Sequence, residues 1–377
     1  MPDLTYTEQE TELRAAVRSV LEEKAEAAAV LARTETPDTY DADLWRTLAA
    51  EIGCAGLLIP EAHGGAGASF REAAVVAEEI GRSVAPVPFL GSAVIATVAA
   101  LAAGDGELLA RLAGGRTTAA LAVPFDSVPG AGPAPTVRIA GAAKDDQAGT
   151  YRLSGSVAGV ADALPADVLI VPADGVPVAL YVVAADAAGL RRTAVTSLDM
   201  TRQLCDVTLE NVAARRLAGG SEAEAALASA LLAGAGILAA EQVGLAERAL
   251  DITLAYVKQR YQFARPVGSF QALKHRFADW WVAVTQARAA SRYAAACLAA
   301  GDPDVAVAVA LAKSACSDTA VLAGQEMIQL HGGIGFTWEH PAHLYLKRAK
   351  SSALALGTAD RHRASLAGLV NLPPPPN

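Results

Sequence analysis

The sequence contains few aromatic residues and no excess of positive charge. Phe, Trp and Tyr together account for 5% of its 377 residues. The 31 Lys and Arg residues are outnumbered by 40 Asp and Glu residues, which gives a formal net charge of −9. Nucleic-acid binding generally requires a basic surface, so this balance argues against it. Anionic small ligands are compatible with the balance, because a few arginines can build a local positive pocket.

Cysteine is scarce as well, and Cys54, Cys205, Cys297 and Cys316 lie far apart in the sequence. None belongs to a Cys-x-x-Cys pair, which argues against a zinc ribbon or a disulfide framework. We expect buried free thiols, as in a reducing cytoplasm. The first residues show no basic segment followed by an apolar one, so we predict no secretory signal and a cytoplasmic location.

Long uninterrupted apolar segments are also lacking. The uncharged stretch at 83–104 is interrupted by Pro86, Pro88 and Gly91. The stretch at 225–240 is shorter than the ~20 residues that a membrane span requires. We therefore predict no membrane helix, and we interpret 225–240 as part of a buried helix.

The common phosphate-binding, catalytic and metal-binding motifs are absent from the sequence. There is no P-loop, no G-x-G-x-x-G after a strand and no G-x-S-x-G. His340 and His343 lie three residues apart, but Pro341 separates them and no carboxylate–histidine set accompanies them. We predict no metal site.

Three regions of different periodicity follow one another along the chain. Residues 1–115 show helical spacing of apolar residues, and Thr7 with Glu10 matches a capping box at the first helix. Residues 116–220 contain short apolar runs separated by turn residues, as in an antiparallel sheet or barrel. Residues 221–371 return to helical spacing in four long segments, which indicates a bundle.

The predicted fold class is α+β and multidomain. It combines an N-terminal α-helical domain at 1–115, a middle antiparallel β-barrel domain at 116–220 and a C-terminal four-helix bundle at 221–371. The proline-rich end at 372–377 is predicted to be a disordered tail.

One segment of the last region, YVKQRYQFARPVGSFQALKHRFAD at 256–279, suits an anionic ligand. A helix runs through Arg260 into a loop, and Gln271 opens a new helix. An arginine beside a helix start combines a fixed charge with free backbone N–H groups, which suits a diphosphate. A solvated corner between two helices explains the same residues and is the stronger interpretation on these grounds alone.

A second segment, QEMIQLHGGIGF at 325–336, is rich in glycine. Gly332, Gly333 and Gly335 allow a ligand or a partner chain to approach the backbone closely. A simple glycine stop at the end of a helix is the alternative.

These segments, taken with two others, resemble the acyl-CoA dehydrogenase family. WRTLAAEIGCAGLLIPEAHGGAGAS at 45–69 and EEIGRSVAPVP at 78–88 resemble its N-terminal patterns. QRYQFARPVGSFQ at 259–271 resembles E-R-x-T-F-G-K-x-x-x-x-x-Q, and QLHGGIGF at 329–336 resembles Q-x-x-G-G-x-G-F. The resemblance covers nearly the whole chain, and its motifs occur in order at matching spacing.

The resemblance implies a helical–β–helical tetramer that binds FAD at subunit interfaces. It also implies desaturation of an acyl-CoA substrate to a trans-2-enoyl-CoA, with electron-transfer flavoprotein as the acceptor. In the family, one subunit grips the adenine diphosphate half of a neighbour's FAD. The cofactor-binding positions that the resemblance implies here are Arg260, Phe270, Gln271, Gln329, Gly333 and Thr358.

The sequence departs from the family pattern where the catalytic base is expected. The family's Y-E-G-T motif corresponds to ALALGTADRHR at 353–363, which places Leu356 at the glutamate position. A leucine side chain cannot accept a proton. A second group of members carries the base on an earlier helix, where this chain has Gly234. Glu241 is two helical turns further on and faces another way, so the catalytic residue is unknown.

The middle region departs from the pattern as well. The family's T-E-P-x-x-G-S-D corresponds to AVPFDSVPG at 122–130, and its aromatic-x-T-N-G stretch to GSVAGVADALPAD at 155–167. Neither segment keeps the polar residues that contact the flavin ring. The sequence thus retains one half of the implied FAD site and has lost the other.

This asymmetry resembles one subunit type of the actinobacterial heterotetrameric acyl-CoA dehydrogenases, many of which act in steroid side-chain degradation. We therefore favour an α2β2 assembly with a second acyl-CoA dehydrogenase chain. A self-sufficient homotetramer with an unusual base, such as Asp360, is the first alternative. A non-redox assembly protein on the same scaffold is the second.

Overall fold

In a computed structural model, the chain forms two compact units. The structure describes residues 4–36, 38, 40–130, 134–142, 150–174 and 178–373. The first unit comprises Met1–Pro37, Phe70–Ala85 and Ala235–Asn377, and the second comprises Asp38–Ser69 and Pro86–Gly234. Residues 374–377 of the predicted tail lie outside the described residues.

The N-terminal region is helical, as predicted. The capping box at its start is confirmed, because Glu10 N donates to Thr7 Oγ1 at 3.1 Å and Thr7 N donates to Glu10 Oε2 at 2.7 Å. The α-helices of this region are α1 (Glu8–Lys24), α2 (Ala27–Thr34), α3 (Ala42–Arg46), α4 (Phe70–Ser83), α5 (Thr97–Ala102) and α6 (Gly106–Ala113). Helix α3 continues into a π-helical turn, Thr47–Glu51, and a second π-helical segment, Phe89–Ala96, leads into α5.

A seven-stranded sheet follows within the second unit. Its strands are β1 (Ala119–Leu121), β2 (Val137–Ala142), β3 (Thr150–Ala161), β4 (Val168–Ala173), β5 (Ala179–Ala184), β6 (Leu190–Ala194) and β7 (Leu204–Gly219). The hydrogen-bonded order is β1-β4-β5-β7-β3-β2, and β6 pairs with β7. One face of the sheet encloses an apolar core that includes Leu153, Leu169 and Val207.

The prediction of an antiparallel β-barrel is wrong in two respects. Strand β1 pairs with β4 in parallel, with Ala119 opposite Val168. Within the described residues the sheet also does not close into a barrel, because β1 and β2 stand at its two ends and do not pair with each other. Strand β1 has three residues, so it offers too short an edge to close the sheet. A single bridge between Arg138 and Asp174 is the nearest approach to closure.

The C-terminal region is helical again. The exit from the sheet falls where the sequence predicts it, between the end of β7 at Gly219 and the start of the next helix at Ser221. A short hairpin and five helices follow: α7 (Ser221–Gln259), β8 (Tyr261–Gln262), β9 (Arg265–Pro266), α8 (Gln271–Ala300), α9 (Val305–His331), α10 (Ala342–Leu354) and α11 (Ala359–Leu369).

The fourth predicted helix of this region is broken in two. Helix α10 ends at Leu354 and α11 begins at Ala359. Leu356 and Gly357 take positive φ angles of 53° and 97°, which a right-handed helix cannot contain. The bundle arrangement of the helices stays a prediction.

Two helices are long and apolar enough to cross a membrane by length and composition alone. They are Ser221–Gln259 and the segment Val305–Phe336, whose most apolar windows are 72% and 56% buried inside the protein. The core helix of a soluble protein passes the same test. The four cysteines are buried and free, as predicted.

Candidate functional site

Arg260 lies at the junction between α7 and the short hairpin. Its backbone N–H donates to Tyr256 O at 2.9 Å, and its carbonyl accepts from Val267 N at 2.7 Å. These bonds fix the backbone, while the guanidinium is exposed to solvent. It forms no hydrogen bond or ion pair with the residues that the structure describes. A fixed backbone with an unpaired cation is available to bind an anion.

The hairpin turn itself is strained. Phe263 and Ala264 have φ angles of 53° and 60°, as in a tight turn that normally carries Asn or Gly. The Phe263 side chain is 87% exposed, and its ring meets the edge of Phe270 with centroids 6.3 Å apart. The guanidinium of Arg265 lies 3.8 Å from the centroid of the Phe270 ring. The turn thus combines a left-handed backbone with an aromatic side chain that is exposed to solvent.

Helix α8 begins beside this hairpin. Phe270 occupies its N-cap position and supplies no side-chain cap. Gln271 is the first helical residue, and its side chain is exposed. An uncapped helix start presents unsatisfied N–H groups and partial positive charge, which favours an anionic ligand.

The C-terminal end of α9 lies beside the C-terminal end of α7 and the start of α8. The Tyr256 ring stacks on His331 with centroids 4.4 Å apart, and its hydroxyl donates to His331 O at 3.3 Å. Arg276 Nη2 of α8 donates to Glu326 Oε1 of α9 at 2.7 Å. Gln329 and Gly333 flank this contact region; both are exposed, and the space beside Gly333 is open.

Five of the six predicted cofactor positions are therefore brought to one end of α7, α8 and α9. They are Arg260, Phe270, Gln271, Gln329 and Gly333. Gln271 and Gln329 also lack side-chain hydrogen bonds within the described part of the chain. Exposed polar groups without internal partners around an uncapped helix start fit the diphosphate portion of FAD.

Thr358, the sixth position, lies elsewhere. It caps α11, because its hydroxyl accepts from Arg361 N at 3.3 Å. The preceding carbonyl, Gly357 O, accepts from Lys313 Nζ of α9 at 3.2 Å. Gln329 follows Lys313 by 16 residues on the same helix, which corresponds to about 24 Å along its axis.

Leu356 occupies the position where most family members carry the base. Its side chain is 1% exposed and its backbone is left-handed. Its carbonyl accepts from His362 Nε2 at 2.8 Å. The turn at 355–358 is thus internally bonded and supplies no carboxylate that could act as the base.

The alternative carboxylates are occupied or exposed. Arg348 Nε donates to Glu241 at 2.8 Å, and both side chains are buried. The carboxylate of Asp360 is 92% exposed and pairs with Arg363 at 2.7 Å. Gly234 is buried within α7. None of the three positions holds a carboxylate prepared as a base in a dry site.

Several polar groups of the two middle-region segments are hydrogen-bonded within the second unit. Phe125 N donates to Gly159 O at 3.1 Å, and Ser127 Oγ donates to Pro124 O at 2.6 Å. Gly91 N donates to the buried carboxylate of Asp162 at 3.1 Å. These groups stabilise the second unit internally.

The second unit also contains a largely apolar cavity of about 400 Å³. It is lined by Gly130, Ala134, Pro135, Val178, Glu224, Leu227, Ala228 and Leu231. None of the predicted cofactor positions lines it. Within the described ranges, no cluster of three or more His, Cys, Asp or Glu side chains is arranged to hold a metal ion.

Lys313 is a buried group that the sequence reasoning missed. It is 0% exposed, and burial lowers its pKa to about 7. The available signal was a single charge within the apolar run VAVAVALAKSACSDTAVLAG at 305–324. A lone charge on a buried helix is rare unless it has a specific role.

Comparison with known proteins identifies the class of protein. The chain matches the acyl-CoA dehydrogenase N-terminal domain over residues 7–112 and the acyl-CoA dehydrogenase C-terminal domain over residues 223–369. It is 37% identical to acyl-CoA dehydrogenase IpdE2 of Mycobacterium tuberculosis over 94% of each chain. The chain belongs to the acyl-CoA dehydrogenase family.

Two solved structures resemble the chain over nearly its whole length. A variant of the Tcur3481–Tcur3483 steroid ACAD is 33% identical, with a TM-score of 0.82 over 97% of this chain and 98% of that one. A chain of the ChsE4–ChsE5 complex of Mycobacterium tuberculosis is 27% identical, with a TM-score of 0.85 over 99% of this chain and 100% of that one. Acyl-CoA dehydrogenase FadE34 of the same organism is 33% identical, and the match covers 95% of this chain but 47% of that one.

Proposed function

We propose that this chain is one subunit of a heteromeric acyl-CoA dehydrogenase and contributes the half-site for the adenine diphosphate portion of FAD. A second family chain supplies the base and the surroundings of the flavin ring. The observation that carries this proposal is the contrast between the two ends of α9. At one end lie Arg260, Gln271 and Gln329, which are exposed and whose side chains have no partner among the described residues, and buried Leu356 lies near the other.

Each residue of the half-site has a defined task in this proposal. The Arg260 guanidinium and the free N–H groups of α8 bind the diphosphate. The amides of Gln271 and Gln329 hydrogen-bond the same half of the cofactor, and Gly333 lets the backbone approach it. Bound FAD supplies the hydride acceptor for the β-hydrogen of the acyl-CoA. A carboxylate of the partner chain takes the α-proton, because Leu356 cannot.

The relatives support a two-chain assembly. One similar structure is a Tcur3481–Tcur3483 steroid ACAD, and another is a ChsE4–ChsE5 complex. This chain covers about half of FadE34, which leaves room there for a second unit of equal length. We propose a steroid-derived acyl-CoA as the substrate, electron-transfer flavoprotein as the acceptor and the cytoplasm as the location.

The self-sufficient alternative with Asp360 as the base has less support. An exposed carboxylate paired with Arg363 lacks the dry surroundings that this proton abstraction requires.

The proposal is tested by expressing the chain alone and together with a glutamate-bearing family chain. Alone it should lose flavin on purification. The pair should carry about half a flavin per chain, as expected for a symmetric α2β2 assembly. Arg260→Ala should weaken FAD retention by the pair about tenfold or more, the value of a lost charge-assisted bond. Flavin absorbance after gel filtration measures both quantities.

Arg361→Ala removes the same charge from an exposed position on α11 and serves as the control. Its flavin content should match that of the unmodified pair. A yellow, active homotetramer formed by this chain alone would disprove the proposal.

A further inference from the structure

Lys313 is a buried amine surrounded by neutral partners. Its Nζ lies 2.9 Å from Ser317 Oγ, 3.0 Å from Ser352 O and 3.2 Å from Gly357 O. None of these three groups carries a negative charge. Keeping an ammonium there without a counter-ion is costly, and desolvation accordingly lowers the pKa of Lys313 to about 7.

The surroundings satisfy a neutral amine completely. Gln242 Nε2 lies 3.2 Å from Ser317 Oγ and can donate to it. In the neutral form the two amine hydrogens go to Ser352 O and Gly357 O, and the Ser317 hydroxyl, which also lies 3.4 Å from Gln242 Oε1, can turn to donate to Nζ instead of accepting from it. Each of the three contacts of the amine is then used, and no charge is buried at Nζ.

Two of these contacts restrain the turn at 355–358. Lys313 holds Ser352 O before the turn and Gly357 O within it, while His362 Nε2 donates to Leu356 O at 2.8 Å. Leu356 has a φ of 53°, which is unfavourable for a residue with a side chain. External bonds are therefore needed to keep the turn in this form.

We propose that Lys313 is a positioning residue that holds the turn at 355–358 as a neutral amine, so that removing or protonating this amine loosens the turn. Opening the turn exposes the amine to water, where it binds a proton more readily. Opening is therefore coupled to proton uptake and becomes less favourable as the pH rises. The coupling acts between the two pKa values of the amine, from about 7 when closed to 10.5 when exposed.

The other titratable groups near Lys313 do not change charge over most of this window. Burial raises the pKa of Cys316 on α9 to about 12 and lowers that of His362 on α11 below its usual value. The contacts from α7 and α10 come from Gln242 and Ser352, which are neutral. Glu78 of α4 interacts electrostatically with Cys316, and burial raises its pKa to about 7. A Glu78→Gln background removes that contribution.

The inference has a functional consequence that rests on the proposed function. The turn positions Thr358, whose hydroxyl caps α11 and which we predicted to contact FAD. If the turn loosens, Thr358 loses its fixed position. FAD retention by the two-chain complex should then fall.

Hydrogen exchange in the isolated chain tests the positioning role without any cofactor. Between about pH 7.5 and 9.5, the intrinsic exchange rate of an exposed amide rises about tenfold per pH unit. Over the same range, the equilibrium constant for opening the turn falls by up to about tenfold per pH unit. The amides of 355–362 in the unmodified protein should therefore exchange at a nearly constant rate. In Lys313→Met their exchange should rise with pH and exceed the unmodified rate at pH 7.5.

Lys350→Met changes the same residue type at an exposed position of α10 and should behave like the unmodified protein. The unmodified pH profile carries the test by itself should Lys313→Met fail to fold. The inference is overturned if the amides of 355–362 in the unmodified protein speed up in proportion to hydroxide concentration.

The flavin content of the co-expressed pair separates this inference from the proposed function. A yellow unmodified pair with a flavin-poor Lys313→Met pair supports both. A colourless unmodified pair contradicts the proposed function and leaves the exchange result to decide the role of Lys313. Equal flavin in both pairs contradicts the link from Lys313 to Thr358.

Discussion

Ala264 holds a backbone conformation that its side chain disfavours. Its φ is 60°, and Phe263 before it is also left-handed. The family pattern has glycine at this position, which adopts such angles without strain. The sequence therefore places a residue with a side chain at a left-handed position of the turn.

Replacing Ala264 with glycine should stabilise the protein. We expect Ala264→Gly to raise the free energy of unfolding by about 1 kcal/mol, because the left-handed penalty of a side chain is removed. Chemical denaturation followed by circular dichroism measures this. Ala289→Gly, at an exposed position within α8, should lower the same quantity by about 1 kcal/mol. A loss of stability in Ala264→Gly would contradict the turn geometry.

At the scale of elements, α4 and α7 approach each other unusually closely. A Cβ atom on Gly81 of α4 would overlap Glu241 O of α7, and one on Gly244 of α7 would overlap Glu78 O of α4. Each helix thus packs a glycine against a backbone carbonyl of the other. On each helix, the glycine and the carbonyl that meets the other helix's glycine are three residues apart. A glycine at each contact lets the backbones touch, which a larger residue prevents.

Adding a methyl group at this crossing should be costly. Gly244→Ala and Gly81→Ala should each lower the free energy of unfolding by about 3 kcal/mol, since the helices must move apart. Gly368→Ala in α11, where the added atom meets open space, should leave stability unchanged or raise it by up to about 1 kcal/mol. Thermal and urea denaturation distinguish these outcomes. Wild-type stability in Gly244→Ala would show that the crossing is not tight.

Local sequence signals predicted the elements better than their arrangement. The capping box at Thr7 and the passage from strand to helix at Gly219 and Ser221 depend on neighbouring residues, so periodicity and capping rules find them. The parallel pairing of β1 with β4 and the open edges of the sheet depend on residues far apart in sequence. The break at 355–358 depends on the left-handed Leu356, which no local propensity indicates.

At the scale of the whole molecule, pH dependence should reflect a pair of neighbouring glutamates with opposite environments. Glu78 and Glu79 are each 1% exposed. Burial, with a contribution from Glu247, raises the pKa of Glu78 to about 7. Burial also acts on Glu79, but hydrogen bonds from Arg18 and Arg14 outweigh it and lower the pKa.

At neutral pH and above, Glu78→Gln should be more stable than the unmodified protein. The raised pKa means that the folded state holds the proton of Glu78 more tightly, so the contribution of Glu78 to stability is greatest below about pH 4.5 and falls as the pH rises to about 7. This loss is on the order of 3 kcal/mol and should disappear in the variant. Urea unfolding at a series of pH values measures it.

Glu79→Gln is the matched comparison, and its effect should have the opposite sign. It removes a carboxylate whose ionised form the two arginines stabilise. The variant should therefore be less stable than the unmodified protein at neutral pH, and this difference should shrink in acid. Parallel pH profiles for the two variants would contradict the assignment.

The candidate site could be predicted only where the family motifs are kept. Arg260 and Gln271 flank a loop, and Gln329 and Gly333 flank a glycine turn, so short motifs reveal them. That they share one end of three helices follows from tertiary contacts such as Arg276 with Glu326. Lys313 belongs to no motif, and its role depends on the surrounding Gln242, Ser317 and Ser352 rather than on its neighbours in sequence.

Helix α9 separates the end that carries Gln329 from the level of Lys313 and Gly357 by about 24 Å. After a gene duplication, selection can therefore act on the two ends independently. Mutations beside the turn need not disturb the helix ends that we propose as the half-site for FAD. A scaffold with this spacing favours the evolution of two related chains, each of which keeps the end that the other has lost.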